Sequence, residues 1–270
     1  MSGSEIPELE AMEADISRRL LSERGAVFLD YDGTLTPIVD DPRDAVLAPE
    51  ARALLLDLSR LVPVGVISGR DLDDVRARVG IDAIWYGGSH GFDLAGPGGW
   101  RHVEDAGEAA IPALDAAEAE LGEALGPIRG TSLERKRFSL AVHYRRAPPE
   151  AAAGVERAVD DVLGRHEGLR KTSGKKVFEL RPDADWDKGR ALLTLLEALG
   201  LEESGSFVVF AGDDVTDEDA FRVLRARRLG VGLLVGDADG RGTLADARLE
   251  DTEALMAFLR RMAQTLASSA

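Results

Sequence analysis

The sequence predicts an α/β fold, in which a doubly wound core of strands and helices is interrupted by a smaller inserted α+β domain. Near both ends of the chain, short apolar runs alternate with amphipathic helical segments, which is typical of helices packed on a mostly parallel sheet. In the middle, helices alternate instead with strands of period two. We therefore assign residues 1–103 and 183–270 to the core and residues 104–182 to the insert.

The first half of the core contains three predicted strands with helices between them. The strands are "GAVFLDYD" (25–32), "VPVGVISGR" (62–70) and "IDAIWYGGSHG" (81–91), the last opening into a glycine turn. The helices are "APEARALLLDLSRL" (48–61) and "DLDDVRARVG" (71–80), which ends in Gly. An amphipathic helix is also predicted within the first 21 residues.

The insert and the second half of the core also consist of predicted helices and strands. In the insert, residues 111–126 and 149–166 are helical, and "RFSLAVHYR" (137–145) and "KKVFELRP" (175–182) alternate like strands. This order is compatible with a repeated helix-then-hairpin unit, although no internal sequence repeat accompanies it. The core then resumes with a helix (187–200), the strand "SFVVFAGDD" (206–214), a helix (216–230) and the strand "VGLLVG" (231–236).

Composition excludes several classes of function. The 270 residues carry a formal net charge of −16 and no basic block, so a nucleic-acid partner is disfavoured by repulsion. The chain has no cysteine, which excludes disulfides and thiol chemistry. It has neither the basic start of a secretory signal nor an apolar run of the roughly 20 residues needed to cross a bilayer. We expect a cytoplasmic monomer without a membrane partner.

Asp30 and Asp32 stand at the end of the first predicted strand. Open α/β sheets bind ligands at the carboxyl ends of their strands, and side chains two residues apart in an extended segment face the same way. Both carboxylates are therefore predicted to face one crevice. Gly33 follows and would let backbone N–H groups approach an anion. The alternative is an ordinary exposed turn, since Asp and Gly are common turn residues.

A second apolar strand ends in acids. Asp213 and Asp214 follow "SFVVFAG", and Asp217 comes just beyond them. Acids in a first helical turn complement the macrodipole, which explains residues 217–219 without any function, but it explains Asp213 and Asp214 less well. If the two acid-tipped strands are neighbours, at least three carboxylates converge. A hard divalent cation with oxygen ligands, best Mg²⁺, would stabilise them.

Two further residues lie at predicted element ends. The hydroxyl of Ser68, after the second strand, could bind a phosphate oxygen, or Ser68 could simply belong to the N-cap region of a helix. Lys188 lies at the start of a helix, where the macrodipole disfavours a cation. An anionic ligand would explain it, and a solvated surface lysine is the alternative.

Together, "DYDGTL", the Ser of "VISGR", Lys188 and "GDDVTD" resemble the four motifs of the haloacid dehalogenase superfamily of phosphotransferases. "DYDGTLTPI", "GSHG", "GKKVFELRP" and "GDDVTDEDAF" most resemble the trehalose-6-phosphate phosphatases within it, over residues 25–260. The resemblance implies a haloacid-dehalogenase-like, Rossmann-type core with the insert as a substrate-specificity cap. It also implies hydrolysis of trehalose 6-phosphate to trehalose and phosphate.

The resemblance also implies roles for individual residues. Asp30 would be the nucleophile that forms an aspartyl-phosphate, and Asp32 the general acid and base. Ser68 and Lys188 would grip the phosphoryl group. The metal ligands would be Asp30, the carbonyl of Asp32 and Asp213, supported by Asp214 and Asp217. Candidate substrate contacts are Gly33, Arg70, His90, Glu134, Lys136, Arg145, Lys175 and Glu179.

Other functions stay open at this point. The substrate could be another sugar phosphate, of the sucrose phosphate or mannosyl-3-phosphoglycerate type. A dehalogenase would need neither a second acid nor a carboxylate cluster, and a receiver-type signalling domain is much smaller and has no such insert. A non-catalytic phosphosugar-binding module of this fold is a further alternative. Each charged residue of the insert could also belong to an ordinary solvated sheet face.

Overall fold

The chain divides into two compact units in a computed structural model, one formed by residues 1–102 with 186–270 and the other by residues 103–185. The structure describes residues 7, 9–39, 41–174, 176–203, 205–238, 240 and 242–269. The predicted substrate contact Lys175 lies outside the described residues. Among the residues described, we find no helix that combines the length and the apolar character needed to span a bilayer.

The larger unit is built on a sheet to which the described residues contribute eight strands, in the order β12-β11-β10-β1-β2-β3-β4-β5. Neighbours from β12 to β3 run parallel, and β3 and β4 are antiparallel. The strands are β1 (Arg24–Leu29), β2 (Val64–Ile67), β3 (Trp85–Gly88), β4 (Asp93–Ala95), β5 (Arg101–Val103), β10 (Ser206–Gly212), β11 (Gly230–Val235) and β12 (Ala247–Leu249).

Helices cover both faces of this sheet, so the predicted doubly wound arrangement is confirmed. Successive residues of β1 enter opposite layers: Val27 and Leu29 pack in one apolar cluster, Ala26 and Phe28 in the other. The first cluster includes residues of α1 (Glu13–Ser22), α2 (Pro49–Ser59), α3 (Leu72–Val79) and α8 (Thr252–Ser269). The second includes residues of α6 (Lys188–Leu199) and α7 (Glu218–Arg227).

The smaller unit has the order helix, hairpin, helix, hairpin. Its elements are α4 (Asp105–Leu125), β6 (Ser132–Lys136), β7 (Ser139–His143), α5 (Ala152–Leu163), β8 (Leu169–Gly174) and β9 (Val177–Pro182). The strands form an antiparallel sheet in the order β6-β7-β9-β8. Alternate residues such as Leu140, Val142, Phe178 and Leu180 pack with α4 and α5, which confirms the predicted alternation of β7 and β9.

The chain crosses from the larger unit to the smaller one beside an aromatic cluster. The rings of His102 and Trp186, the last and first residues of the larger unit at the two crossings, stack with centroids 6.3 Å apart. Trp100 stacks on His102, and Phe92 packs against Trp186. Both crossings are thus anchored at one place in the larger unit.

Candidate active site

The carboxyl ends of β1 and β10 bring two acidic segments together. The two strands are neighbours and pair in parallel, with Leu29 opposite Ala211, so the condition for converging carboxylates is met. The register continues one residue further, because the Asp30 N–H donates to the Ala211 carbonyl at 2.9 Å. Asp30 therefore begins its loop directly beside Gly212 and Asp213.

Lys188 lies buried between two carboxylates. Its Nζ donates to Asp30 Oδ1 and to Asp217 Oδ1, at 2.7 Å in both cases, and all three side chains are buried. Burial alone would lower the pKa of Lys188, but the carboxylates of Asp217 and Asp30 outweigh it and raise the pKa above its usual value. The alternative of a solvated surface lysine is therefore wrong. In the structure the anionic partners of Lys188 are the protein's own Asp30 and Asp217, and the anionic ligand stays a prediction.

Asp217 organises the loop that carries the other acids. Its side chain is fully buried, and Oδ2 accepts the backbone N–H groups of Asp213 and Asp214, both at 3.0 Å. A Cβ on Gly212 would lie 2.2 Å from Asp217 Cγ, so only glycine leaves room for this carboxylate. The helix macrodipole explains the acids at residues 217–219 from the sequence alone, but it does not predict that Asp217 fixes the backbone of this loop.

The Asp213 carboxylate reaches the loop after β1. Its Oδ1 accepts a hydrogen bond from the Thr34 hydroxyl at 3.2 Å. Gly33 has φ +83°, and a Cβ there would lie 2.2 Å from Asp213 Oδ2. The Gly33 N–H donates to the Thr36 carbonyl at 2.7 Å, and the approach of other backbone N–H groups to an anion stays a prediction. Glycine is required here because the Asp213 carboxylate packs against it.

Asp32 points to a different partner from Asp30. Its carboxylate accepts two hydrogen bonds from Arg70, Nε at 2.7 Å and Nη2 at 2.6 Å. The buried Ser68 hydroxyl accepts the Arg70 N–H at 3.1 Å. Arg70, predicted as a substrate contact, is therefore a partner of both Asp32 and Ser68.

Asp214 and His90 stabilise loops beside these residues. Asp214 Oδ1 accepts the N–H and the hydroxyl of Thr216, both at 2.6 Å, which shapes the turn before α7. His90 has φ 56° and follows Ser89 with φ 50°, a left-handed backbone that non-glycine residues seldom adopt. The His90 N–H donates to the Ser68 carbonyl at 2.9 Å, so this strained turn is tied to the Ser68 loop.

In the smaller unit, charged groups occupy one face of the sheet. Glu179 accepts hydrogen bonds from the Ser139 hydroxyl at 2.8 Å and Arg181 Nε at 2.6 Å, and Lys136 Nζ lies 3.7 Å away. Burial would raise the pKa of Glu179, but Arg181 and Lys136 outweigh it and lower the pKa below its usual value. Glu179 is therefore held as a carboxylate among these donors.

The other candidate contacts of this unit differ in their surroundings. Glu134 lies on the same strand face as Lys136, two residues away, and its carboxylate bonds His143 Nε2 at 2.7 Å. Arg145 is exposed and lies two residues beyond the end of β7. Arg145 thus lies outside the ladder that carries Glu134, Lys136 and Glu179.

The sequence profile of the family described as trehalose-phosphatase matches residues 28–253. The chain belongs to this family. A trehalose-phosphate phosphatase of Mycobacterium tuberculosis is 44% identical over 265 residues, which are 97% of this chain and 67% of that protein. The profile match begins within β1 and ends beyond β12.

Solved structures place this trehalose-phosphatase family member in the expected fold. The C-terminal domain of a Candida albicans trehalose-6-phosphate phosphatase is 25% identical, with a TM-score of 0.78, and the match covers 97% of this chain and 99% of that one. A haloacid dehalogenase-like hydrolase from Bacteroides thetaiotaomicron is 15% identical with a TM-score of 0.64, covering 88% and 99%. The haloacid-dehalogenase-like fold is confirmed.

The acidic cluster of this family member suits a cation. Carboxylate oxygens of Asp30, Asp213 and Asp217 lie within 4.8 Å of one another. Burial and the neighbouring carboxylates of Asp217 and Asp214 raise the pKa of Asp213 to about 7. Burial raises the pKa of Asp30 well above its usual value, and Lys188 only partly opposes this. A hard divalent cation with oxygen ligands fits this donor set. Asp30 and Asp213 could hold it, since both Asp217 oxygens already accept hydrogen bonds.

We expect Mg²⁺ to raise the melting temperature of the protein. At about a hundredfold excess over its dissociation constant, a cation that binds only the folded state stabilises it by about 2.7 kcal/mol. For a chain of this size that is about 5–10 °C. The shift should be larger at about pH 8 than at about pH 6, because a protonated Asp213 must lose its proton to bind the cation.

Differential scanning calorimetry with Mg²⁺ or EDTA measures this shift. Asp213→Asn should lose most of it. Asp246→Asn is the matched control, since Asp246 also accepts a backbone N–H in the larger unit, that of Gly232, but lies outside the carboxylate cluster. An equal shift in wild type and Asp213→Asn would argue against a cation at Asp213.

Proposed function

We propose that the chain hydrolyses trehalose 6-phosphate to trehalose and inorganic phosphate, as a Mg²⁺-dependent phosphoric monoester hydrolase. The observation that carries the chemistry is the buried Asp30 carboxylate, held by Lys188 at the carboxyl end of β1 with a second acid two residues on. Membership of the trehalose-phosphatase family supports the choice of substrate.

The proposed reaction has two steps. In the first, the Asp30 carboxylate attacks phosphorus, the bond from phosphorus to the sugar oxygen breaks, and Asp32 gives its proton to the departing oxygen. In the second, water attacks the aspartyl-phosphate, Asp32 takes a proton from that water, and phosphate leaves with Asp30 restored. Burial of Asp30 favours this chemistry, because few water molecules compete for the carboxylate.

The residues around Asp30 stabilise the charge of the phosphoryl group. Lys188 is a fixed ammonium group at the nucleophile, and the Ser68 hydroxyl can donate to a phosphoryl oxygen while it accepts the Arg70 N–H. Mg²⁺, bound by Asp30, the Asp32 carbonyl and Asp213, would offset the negative charge of the phosphoryl oxygens. We propose Asp214 and Asp217 as supports of that site, since Asp217 fixes the N–H groups of residues 213 and 214.

We propose that residues 104–182 act as the cap that recognises the sugar. Glu134, Lys136 and Glu179 combine hydrogen-bond donors and acceptors on one sheet face, as the hydroxyls of a disaccharide require. Arg145, Lys175 and His90 remain predicted contacts. The cytoplasmic location and the monomeric state also remain predictions.

The test is phosphate release from trehalose, sucrose and glucose 6-phosphates and from mannosyl-3-phosphoglycerate, with Mg²⁺ or EDTA. We expect an EDTA-sensitive preference for trehalose 6-phosphate. Equal rates on all substrates would keep the phosphatase and reject the substrate. Absence of phosphate release from every compound would favour the alternative of a phosphosugar-binding module.

In the same assay, Glu179→Ala should lower kcat/KM for trehalose 6-phosphate by about 100-fold, while hydrolysis of para-nitrophenyl phosphate falls by less than about threefold. The aryl phosphate has no sugar hydroxyls for Glu179 to bind. Glu156→Ala is the matched control, since Glu156 bonds Lys171 elsewhere in the same unit. Equal losses on both substrates would assign Glu179 a structural role.

A further inference from the structure

Two hydrogen bonds from Arg70, a less exposed side chain, hold the carboxylate of Asp32. Arg70 Nε and Nη2 donate to the two carboxylate oxygens at 2.7 and 2.6 Å. The Asp32 side chain is 43% exposed, but that of Arg70 is only 10% exposed. An exposed carboxylate rotates freely about its side-chain bonds, and a planar guanidinium fork removes that freedom.

The guanidinium group of Arg70 is itself fixed. Nη1 donates to Asp74 Oδ2 at 3.0 Å, and Nη2 donates to the Pro42 carbonyl at 2.8 Å. The group lies over the Tyr31 ring, 5.4 Å from its centroid. Four of the five N–H bonds of an arginine thus point to protein acceptors, which leaves Arg70 poorly suited to grip a substrate.

The backbone of Arg70 contacts Ser68, a second residue that we predict to act on the phosphoryl group. The Arg70 N–H donates to the Ser68 hydroxyl oxygen at 3.1 Å. The Arg70 carbonyl accepts the Ser89 N–H at 2.6 Å. One residue therefore fixes the Asp32 carboxylate through its side chain and the Ser68 hydroxyl through its main chain.

We infer that Arg70 is the positioning residue for Asp32: fixed by Asp74, it holds the Asp32 carboxylate in the orientation from which the proton is transferred. This inference rests on the proposed phosphatase activity. The Arg70 side chain acts only through Asp32, so it matters wherever Asp32 moves a proton. The attack by Asp30 on a substrate whose leaving group needs no proton should not depend on it. Misplacing a reacting group by about 1 Å can cost about 100-fold in rate.

The test compares wild type with Arg70→Lys, which keeps the charge and loses the fork. We expect kcat for trehalose 6-phosphate to fall by about 10–100-fold with KM changed by less than about twofold. With para-nitrophenyl phosphate, stopped flow follows the first release of nitrophenolate, a leaving group that needs no proton. The rate of that first release should stay within about threefold of the wild-type rate. The later steady-state rate should fall, because the attack by water still requires Asp32.

A double variant gives a second readout that does not depend on resolving the two phases. In an Asp32→Asn background, Arg70→Lys should change the steady-state rate by less than about twofold, since the two residues act as a unit. The matched control is Arg19→Lys, which should leave all rates unchanged. Arg19 also forms a two-point contact with a carboxylate, that of Glu23, and also lies over an aromatic ring, that of Phe207, but it has no contact with Asp32.

Two results would overturn the inference. One is a nitrophenolate release slowed as much as the steady state, which would indicate a general distortion of the site. The other is a full additional loss in the Asp32→Asn background. Wild-type inactivity on trehalose 6-phosphate with activity on the aryl phosphate would refute the proposed substrate alone, because the aryl phosphate still tests Arg70.

Discussion

Asp30→Asn is expected to abolish phosphate release, with kcat lowered by at least about 10,000-fold. The amide cannot form the aspartyl-phosphate. Among the described residues, Asp30 is the only carboxylate that both follows β1 and bonds Lys188. Rapid mixing with trehalose 6-phosphate, followed by acid quench and mass spectrometry, should find a phosphorylated chain in wild type and none in the variant.

The fold of Asp30→Asn should persist, because an amide oxygen can still accept the Lys188 hydrogen bond and one buried negative charge is removed. Its melting temperature in EDTA should therefore be at least that of wild type. Asp246→Asn serves again as the matched control and should keep its activity. Turnover by Asp30→Asn above about one thousandth of the wild-type rate would remove Asp30 from the role of nucleophile.

Lys188→Met should have the largest effect on stability. It leaves the buried carboxylates of Asp30 and Asp217 without their shared cation, and removing one partner of a buried ion pair costs about 3–5 kcal/mol. We also expect phosphate release to fall by at least about 100-fold, since a fixed positive charge at the phosphoryl group is lost. Urea unfolding and kcat measure the two effects.

A double variant separates the two roles of Lys188. The double variant Lys188→Met/Asp217→Asn has one buried negative charge fewer than Lys188→Met. The amide oxygen that replaces the Asp217 carboxylate can still accept hydrogen bonds from the N–H groups of Asp213 and Asp214. Part of the lost stability should return, and activity should stay low. Recovery of activity along with stability would show that Lys188 serves only to hold the fold.

The sequence contains enough information for the centre of this fold. Strand period and apolar content predict β1 and β10, and the spacing of Asp30 and Asp32 indicates a site at their carboxyl ends. Most of the elements missed have weak local patterns. β4, β5 and β12 are only three residues long, and β6, "SLERK", and β8, "LRKTSG", are mostly polar and partly exposed. α8 is the exception, because its apolar residues have clear helical spacing.

The site was harder to predict where its contacts join distant parts of the chain. Asp217 lies in a run of acids at a helix start, and its burial depends on Lys188, 29 residues earlier. Asp32 and Arg70 are 38 residues apart in the chain. No local sequence pattern shows that Arg70, a predicted substrate contact, binds the Asp32 carboxylate instead. Strand alternation predicts that the backbone directs Asp30 and Asp32 alike, but it does not predict which partner each carboxylate binds.

The stacked rings of His102 and Trp186 bear on how substrate range diversifies in evolution. Because both crossings are anchored at one place, the intervening 83 residues close a loop whose ends already meet in the larger unit. Such an insertion can be exchanged or resized with little change in the entropy of closing the chain. If residues 104–182 recognise the sugar as proposed, relatives could acquire new sugar preferences by replacing this module while keeping the residues that act on the phosphoryl group.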